Sequence, residues 1–323
     1  MSESRPIVLQ TKNLVAGYRL DGNDFALFDN LNLTLRKGEL VCFMGSNGIG
    51  KTTLIKTLAG LQKPLQGFTE FHSHGSVALV LTDKITSSTM TVYDLVSYGR
   101  YPYLNWNIRL SAQDQKLIEE SIKQVHLEAL THKRIAELSD GQLQMAMLAK
   151  ALAQDTPILF LDEPTAHLDL NNRVEIMNLL RTLCRTSGKT VLVATHELDL
   201  ALQTADRIWL ATAERKILEG VPEDLVLNGT FDTVFQFKGF DLKSGKVSQV
   251  PYRKKTVQLE GHGYEYLWTK NALERSGYEV NTTSTLKIKT TEKDNSISWN
   301  LLTENVELTF DNLEGLLEFL KDT

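Results

Sequence analysis

The run Gly45-Ser46-Asn47-Gly48-Ile49-Gly50-Lys51-Thr52 carries the most legible chemistry in the chain. It matches G-x-x-x-x-G-K-[ST], in which glycines let the backbone curl until successive N–H groups converge on phosphate oxygens. In such a loop Lys51 neutralises charge on β- and γ-phosphates, and the Thr52 hydroxyl is placed to ligate Mg2+. A dinucleotide turn is excluded, because Asn47 stands where G-x-G-x-x-G needs its second glycine. Two further clusters complement the loop. Asp162 and Glu163 close the apolar run ILFL, and His196 closes VLVAT. Asp162 suits Mg2+ or its water ligands. Glu163 suits orienting or deprotonating an attacking water, and His196 suits donating to a γ-phosphate or holding that water in line. An Asp-Glu pair alone reads as a turn or helix cap, and a lone His as a core residue. Their conjunction with a phosphate loop makes them a hydrolytic set.

A third cluster, Ser139-Asp140-Gly141-Gln142, opens a segment of helix formers, AMLAKALA. Ser139 is a good N-cap, and the helix start behind it offers unpaired N–H groups and partial positive charge to an anion. Asp140 puts a carboxylate where that anion would approach.

The elements around these clusters alternate. IVLQTKNLVAGY and LFDNLNLTLRKG read as antiparallel strands ending at a Lys37-Gly38 turn. ELVCFMG, PILFLDEP and TVLVATHE are nearly continuous apolar runs, as expected of strands buried on both faces. Helical stretches at 51–60 and 171–187 separate them, so the pattern is β-α-β and implies a parallel sheet. In such a sheet ligands collect at the carboxyl ends of strands, where the phosphate loop, Asp162-Glu163 and His196 should meet. Residues from about 87 to 155 read as a helical insertion. After Gly220 the character changes: 243–255 is a polar, punctuated linker, and 256–323 reads β-α-β-β-β-α, a small α/β appendage.

The chain has 323 residues and a net charge of −5, which argues against nucleic acid as the main partner. No apolar run approaches the ~20 residues that span a bilayer, and the N-terminus lacks the pattern of a secretion signal. Cys42 and Cys184 stand far apart in sequence, consistent with two reduced buried thiols in a cytoplasmic protein. His72-Ser73-His74 has no Cys or acid at ligand spacing and is not read as a metal site. Arg253-Lys254-Lys255 carries fewer charges than the 4–8 of a lipid-binding patch and reads as solvated linker.

With the phosphate loop, LSDGQ, LFLDEP, AHLD and ATHE in this order, the chain resembles the ABC ATPases over residues 7–225. The resemblance implies an α/β nucleotide-binding domain (1–242) with a RecA-like core, an antiparallel β subdomain and a helical subdomain. It also implies ATP and Mg2+ as ligands, and two copies meeting head to tail with ATP between the Walker A loop of one and the signature helix of the other. By position, Tyr18 would stack on adenine and Gly45–Thr53 would form the phosphate loop, with Thr53 completing it. Ser139, Asp140, Gly141 and Gln142 would form the signature, Asp162 and Glu163 the Walker B pair, Asp169 the D-loop carboxylate and His196 the switch histidine. The stretch SYGRYPYLNW (97–106) resembles the subfamily importing ferric siderophores, haem and vitamin B12. That implies a subunit peripheral on the inner face of the cell membrane, working on permease subunits and, indirectly, a periplasmic or lipoprotein substrate-binding protein. The alternative within the family is a soluble, non-transport ATPase acting as an assembly or mechanical factor.

Two positions depart from the family pattern. Thr82, followed by Asp83, stands where the family has the Q-loop glutamine, and Thr82 is too short to span what glutamine spans. Asp83, or a water held by Thr82, is expected to take over. Asp140 replaces the first glycine of S-G-G-Q. A carboxylate aimed at a triphosphate would be repelled in a drying interface, so Asp140 is expected to face away from the nucleotide.

Overall fold

The computed structural model describes residues 5–72, 77–81, 89–106, 109–237, 240–242, 246–247, 251–253, 255–293, 296–303 and 307–322. The chain divides into two compact units, Met1–Gln236 and Phe237–Thr323.

In the first unit, β1 (Ile7–Leu20) pairs antiparallel with β2 (Asn23–Leu31), β3 (Thr34–Arg36) and β5 (Gln66–Phe71). The run read as one strand after residue 26 is thus split at Asn32-Leu33, whose two flanks pair with different parts of β1. The central sheet has the order β10-β9-β4-β8-β7-β6. Its members are β4 (Leu40–Met44), β6 (Val77–Val80), β7 (Ile158–Asp162), β8 (Thr190–Ala194), β9 (Arg207–Ala211) and β10 (Ile217–Gly220). All pairings are parallel except that of β10 with β9. Every residue of β4, β7 and β8 is buried, as their unbroken apolar runs require. β6 and β9 are strands that apolar-run reading alone did not single out.

Helix α1 (Lys51–Leu58) follows β4 and packs against β7 and β8. Helix α5 (Leu170–Ser187) connects β7 to β8, starting on the Asp169 N-cap and ending at Gly188, whose φ of 63° stops the helix before the strand. Between β6 and β7 lies the helical part: α2 (Val92–Ser97), a 3-10 segment (Tyr98–Tyr103), α3 (Ala112–Gln124) and α4 (Asp140–Ala153). Capping boxes start all three α-helices, on Thr91, Ser111 and Ser139. The Gly99-Arg100 pair ties this part together. A Cβ at Gly99 would lie 2.2 Å from the Lys150 carbonyl oxygen, so only glycine lets the 3-10 segment pack this closely on α4. Arg100 is buried, pairs with Asp114 at 2.8 Å and donates to the Ala153 carbonyl at 2.8 Å. Helices α6 (Leu198–Thr204), α7 (Pro222–Leu227) and α8 (Thr230–Phe235) complete the unit.

The second unit holds a short ribbon, β11 (Phe240–Asp241) with β12 (Lys246–Val247), and a five-stranded sheet of order β14-β13-β15-β16-β17. The sheet strands are β13 (Lys255–Glu260), β14 (Tyr278–Asn281), β15 (Lys287–Lys293), β16 (Ser296–Leu302) and β17 (Glu307–Phe310). Helices α9 (Gly263–Arg275) and α10 (Leu313–Asp322) add to a core of Val257, Leu259, Leu273, Tyr278, Ile288, Trp299, Leu301, Leu316 and Leu320. The buried Trp299 indole N–H donates to Thr269 at 2.7 Å, so the core carries its polar group satisfied. Four strands follow α9 rather than the expected three, with β15 and β16 paired antiparallel along their whole lengths. Arg253, read as solvated linker, packs its guanidinium over the Tyr278 ring.

Candidate active site at the sheet edge

Register brings the three chemical clusters together. Phe43 on β4 and Asp162 on β7 both align with Ala194 on the strand between them, β8. Gly45, Glu163 and His196 therefore leave three adjacent strands at one level. Two backbone bonds lock that level: Glu163 N–H to Ala194 O at 2.9 Å and Thr195 N–H to Phe43 O at 3.0 Å.

The phosphate loop is open to solvent at Ser46, Asn47 and Gly48, while Ile49 turns back and packs on the core. Gly48 and Gly50 have φ of 78° and 110°, conformations that a side chain would strain. Gly50 is the N-cap of α1, so the unpaired N–H groups of that helix end at the loop. Lys51 is buried, donating to Gly45 O at 3.1 Å and Ser46 O at 3.4 Å, and lies 3.6 Å from Glu163 Oε1. Thr52 donates from its hydroxyl to Asp162 Oδ2 at 2.6 Å, and Thr53 lies half-buried behind it.

Asp162 is buried, and its second oxygen, Oδ1, has no hydrogen-bond partner among the described residues. Burial raises its pKa, the Thr52 hydroxyl opposes that, and the Glu163 charge adds to the rise. A buried carboxylate with a free oxygen beside a hydroxyl is a donor set that fits a hard cation. Glu163 has φ of 51°, a left-handed conformation costing about 1–2 kcal/mol in a residue with a Cβ. That turn aims its carboxylate back over the loop, where Oε2 accepts from His196 Nδ1 at 2.7 Å.

At α4, the Ser139 hydroxyl accepts from Gln142 N–H at 3.2 Å and Gln142 Oε1 accepts from Ser139 N–H at 3.1 Å. The Ser139 O–H proton remains available to a further acceptor. Asp140 is exposed, whereas Gly141 is buried: a Cβ there would meet the Asn172 side chain at 2.8 Å. Asp169 accepts from Asn172 N–H and Nδ2–H, both at 2.9 Å, so it is engaged in capping its own helix. Tyr18 is exposed and stacks on Phe25, directly across the β1–β2 pair, with ring centroids 5.6 Å apart. Thr82, Asp83 and His74 lie outside the described residues, and His72 faces Glu70 at 4.0 Å.

Four neighbours went unread in the sequence: Phe25, Asn172, Arg173 and Glu197. Phe25 could have been found as an aromatic opposite Tyr18 in a hairpin. The others gain meaning only from contacts across the fold.

The parallel sheet, its glycine-rich loop and the acidic strand end beside it define a P-loop nucleoside-triphosphate hydrolase. Residues 28–166 match the ABC transporter family, and residues 254–321 match the iron ABC transporter C-terminal domain. A probable siderophore transport system ATP-binding protein of Bacillus subtilis, YusV, is 35% identical, over 70% of this chain and 85% of its own. The iron(3+)-hydroxamate import ATP-binding protein FhuC of the same organism is 30% identical, over 71% and 87%. The dimeric structure of MJ0796, a bacterial ABC transporter cassette, superposes with a TM-score of 0.58 at 26% identity, covering 66% of this chain and 98% of that one. The chain belongs to the ABC transporter ATP-binding proteins, ATPases whose ATP hydrolysis drives transport. Among the described residues no helix is long and apolar enough to cross a membrane.

Proposed function

We propose that this chain pairs head to tail with a second copy, docks on membrane-spanning permease subunits at the inner face of the membrane, and hydrolyses ATP to drive import of an iron complex of the siderophore type. A substrate-binding protein would deliver that cargo from the other side. One observation carries the cargo reading: the match of the second unit to an iron transporter domain, joined to the ATPase site of the first. The names of the relatives support it.

In the site, Lys51 and the N–H groups of the loop hold the β- and γ-phosphates, and Tyr18 stacks on adenine with Phe25 behind it. Thr52 and Asp162 hold Mg2+, a reading supported by the buried, unpartnered Oδ1. Bound there, Mg2+ neutralises charge on the phosphate oxygens. Glu163 orients the attacking water and takes its proton as oxygen bonds to the γ-phosphorus and the bond to ADP breaks. His196 steers the Glu163 carboxylate. Ser139 and Gly141 belong to the site of the second copy, Ser139 offering its free O–H proton to that copy's γ-phosphate. A groove of about 560 Å³ lined by Tyr93, Asp94, Tyr98 and Tyr101 suits a permease segment.

Uptake of a radiolabelled ferric siderophore by a strain lacking this chain tests the reading. Uptake should be absent, return with the parent chain and stay absent with Glu163→Gln. Normal uptake without the chain would contradict it.

A further inference from the structure

The line of charged side chains at the sheet edge does not stop at His196. Its Nε2 lies 3.5 Å from Glu197 Oε1, and the Arg173 guanidinium lies 2.8 Å from that same oxygen. Arg173, in the first turn of α5, also donates from Nε to the Leu168 carbonyl at 2.6 Å, one residue before Asp169. Glu197 Oε1 is buried and has no hydrogen-bond partner among the described residues, and the Arg173 guanidinium is the positive charge set against it. Lys51, Glu163, His196, Glu197 and Arg173 thus form one chain of contacts at 3.6, 2.7, 3.5 and 2.8 Å.

His196 is half-exposed and follows the end of β8, so its ring is held by the side chains beside it. Glu163 holds one edge through Nδ1, and Glu197 faces the other, a contact that attracts when Nε2 also carries a proton. Glu197 in turn depends on Arg173, whose planar fork reaches a carbonyl and a carboxylate together. A lysine, as a point charge, could serve only one of them well.

We propose that Arg173 is a positioning residue for ATP hydrolysis: through Glu197 it fixes His196, and with it the aim of the Glu163 carboxylate at water. This rests on the roles given above to Glu163 and His196.

Steady-state hydrolysis by the full-length chain tests the proposal, with nucleotide affinity followed by a fluorescent ATP analogue. Arg173→Ala should lower kcat roughly tenfold while KM and analogue affinity stay within about twofold, the pattern of a misaimed reacting group rather than lost binding. Arg173→Lys should recover part of that loss. Glu197→Gln should lower kcat similarly, and the double variant should be no worse than either single one, because both cut one link. If Arg173→Ala does not fold, Glu197→Gln, which keeps the size of the side chain, carries the test. A kcat within about twofold of the parent in both single variants, or losses that multiply in the double, overturns the proposal. Glu163→Gln and His196→Ala run alongside. Loss of hydrolysis there without loss in the Arg173 and Glu197 variants overturns the positioning role alone; undiminished hydrolysis there overturns the underlying assignment as well.

Discussion

Asp114→Asn should destabilise the helical part in a pH-dependent way that can be worked out beforehand. The Ser111 hydroxyl, the Ser111 backbone N–H and Arg100 all donate to the Asp114 carboxylate, holding its pKa at about 2 against an ordinary 3.8. A depressed folded-state pKa contributes stability that is present above the unfolded value and lost as pH falls toward the folded one. At pH 7 that contribution is on the order of 2 kcal/mol, from roughly 1.36 kcal/mol for each pH unit of depression. At pH 3 it falls to about half that, because the unfolded chain's carboxyl, with its ordinary pKa, has already bound its proton while the folded one is still mostly charged. Asparagine keeps the shape but not the charge, and it leaves the buried Arg100 without its carboxylate. Urea unfolding followed by circular dichroism at both pH values, with amide exchange on α3 as a local readout, measures the cost. A cost below about 0.5 kcal/mol at pH 7, or one that grows as pH falls, refutes the reasoning.

Gly99→Ala should destabilise the same part by about 1–3 kcal/mol, because the new Cβ meets a backbone oxygen that cannot swing aside; thermal unfolding reads it. Tyr18→Ala should raise KM for ATP about tenfold with kcat little changed, and Phe25→Ala should raise it less, since it removes only the ring beneath. Of Thr82→Ala and Asp83→Ala, at least one should lower transport-coupled hydrolysis several-fold; unchanged rates in both would show that neither replaces the family's glutamine.

The parts of the site that were legible beforehand are local in sequence. The phosphate loop announces itself because backbone curvature needs glycines at fixed spacing, and Lys51 and Thr52 follow within the same turn. Asp162-Glu163 and His196 were legible because unbroken apolar runs mark strands buried on both faces, which end where ligands gather. Sheet order and register were not readable in this way. That β8 lies between β4 and β7, and that Phe43, Ala194 and Asp162 are level, follows from packing over the whole unit. Contacts that cross it, such as Arg173 with Glu197 or Asn172 against Gly141, leave no periodic trace. Strands β6 and β9 escaped for a related reason: four- and five-residue apolar runs fit a buried helix segment equally well.

The central claim is that Glu163 handles the water in a site completed by a second copy of the chain. Its most direct test is Glu163→Gln, with ATP turnover and ATP-dependent association measured on the same sample. Turnover should fall at least about 100-fold while ATP still drives the chain from monomer to dimer in sedimentation. Turnover that persists at the parent rate, or a chain that stays monomeric with saturating ATP, would contradict the account.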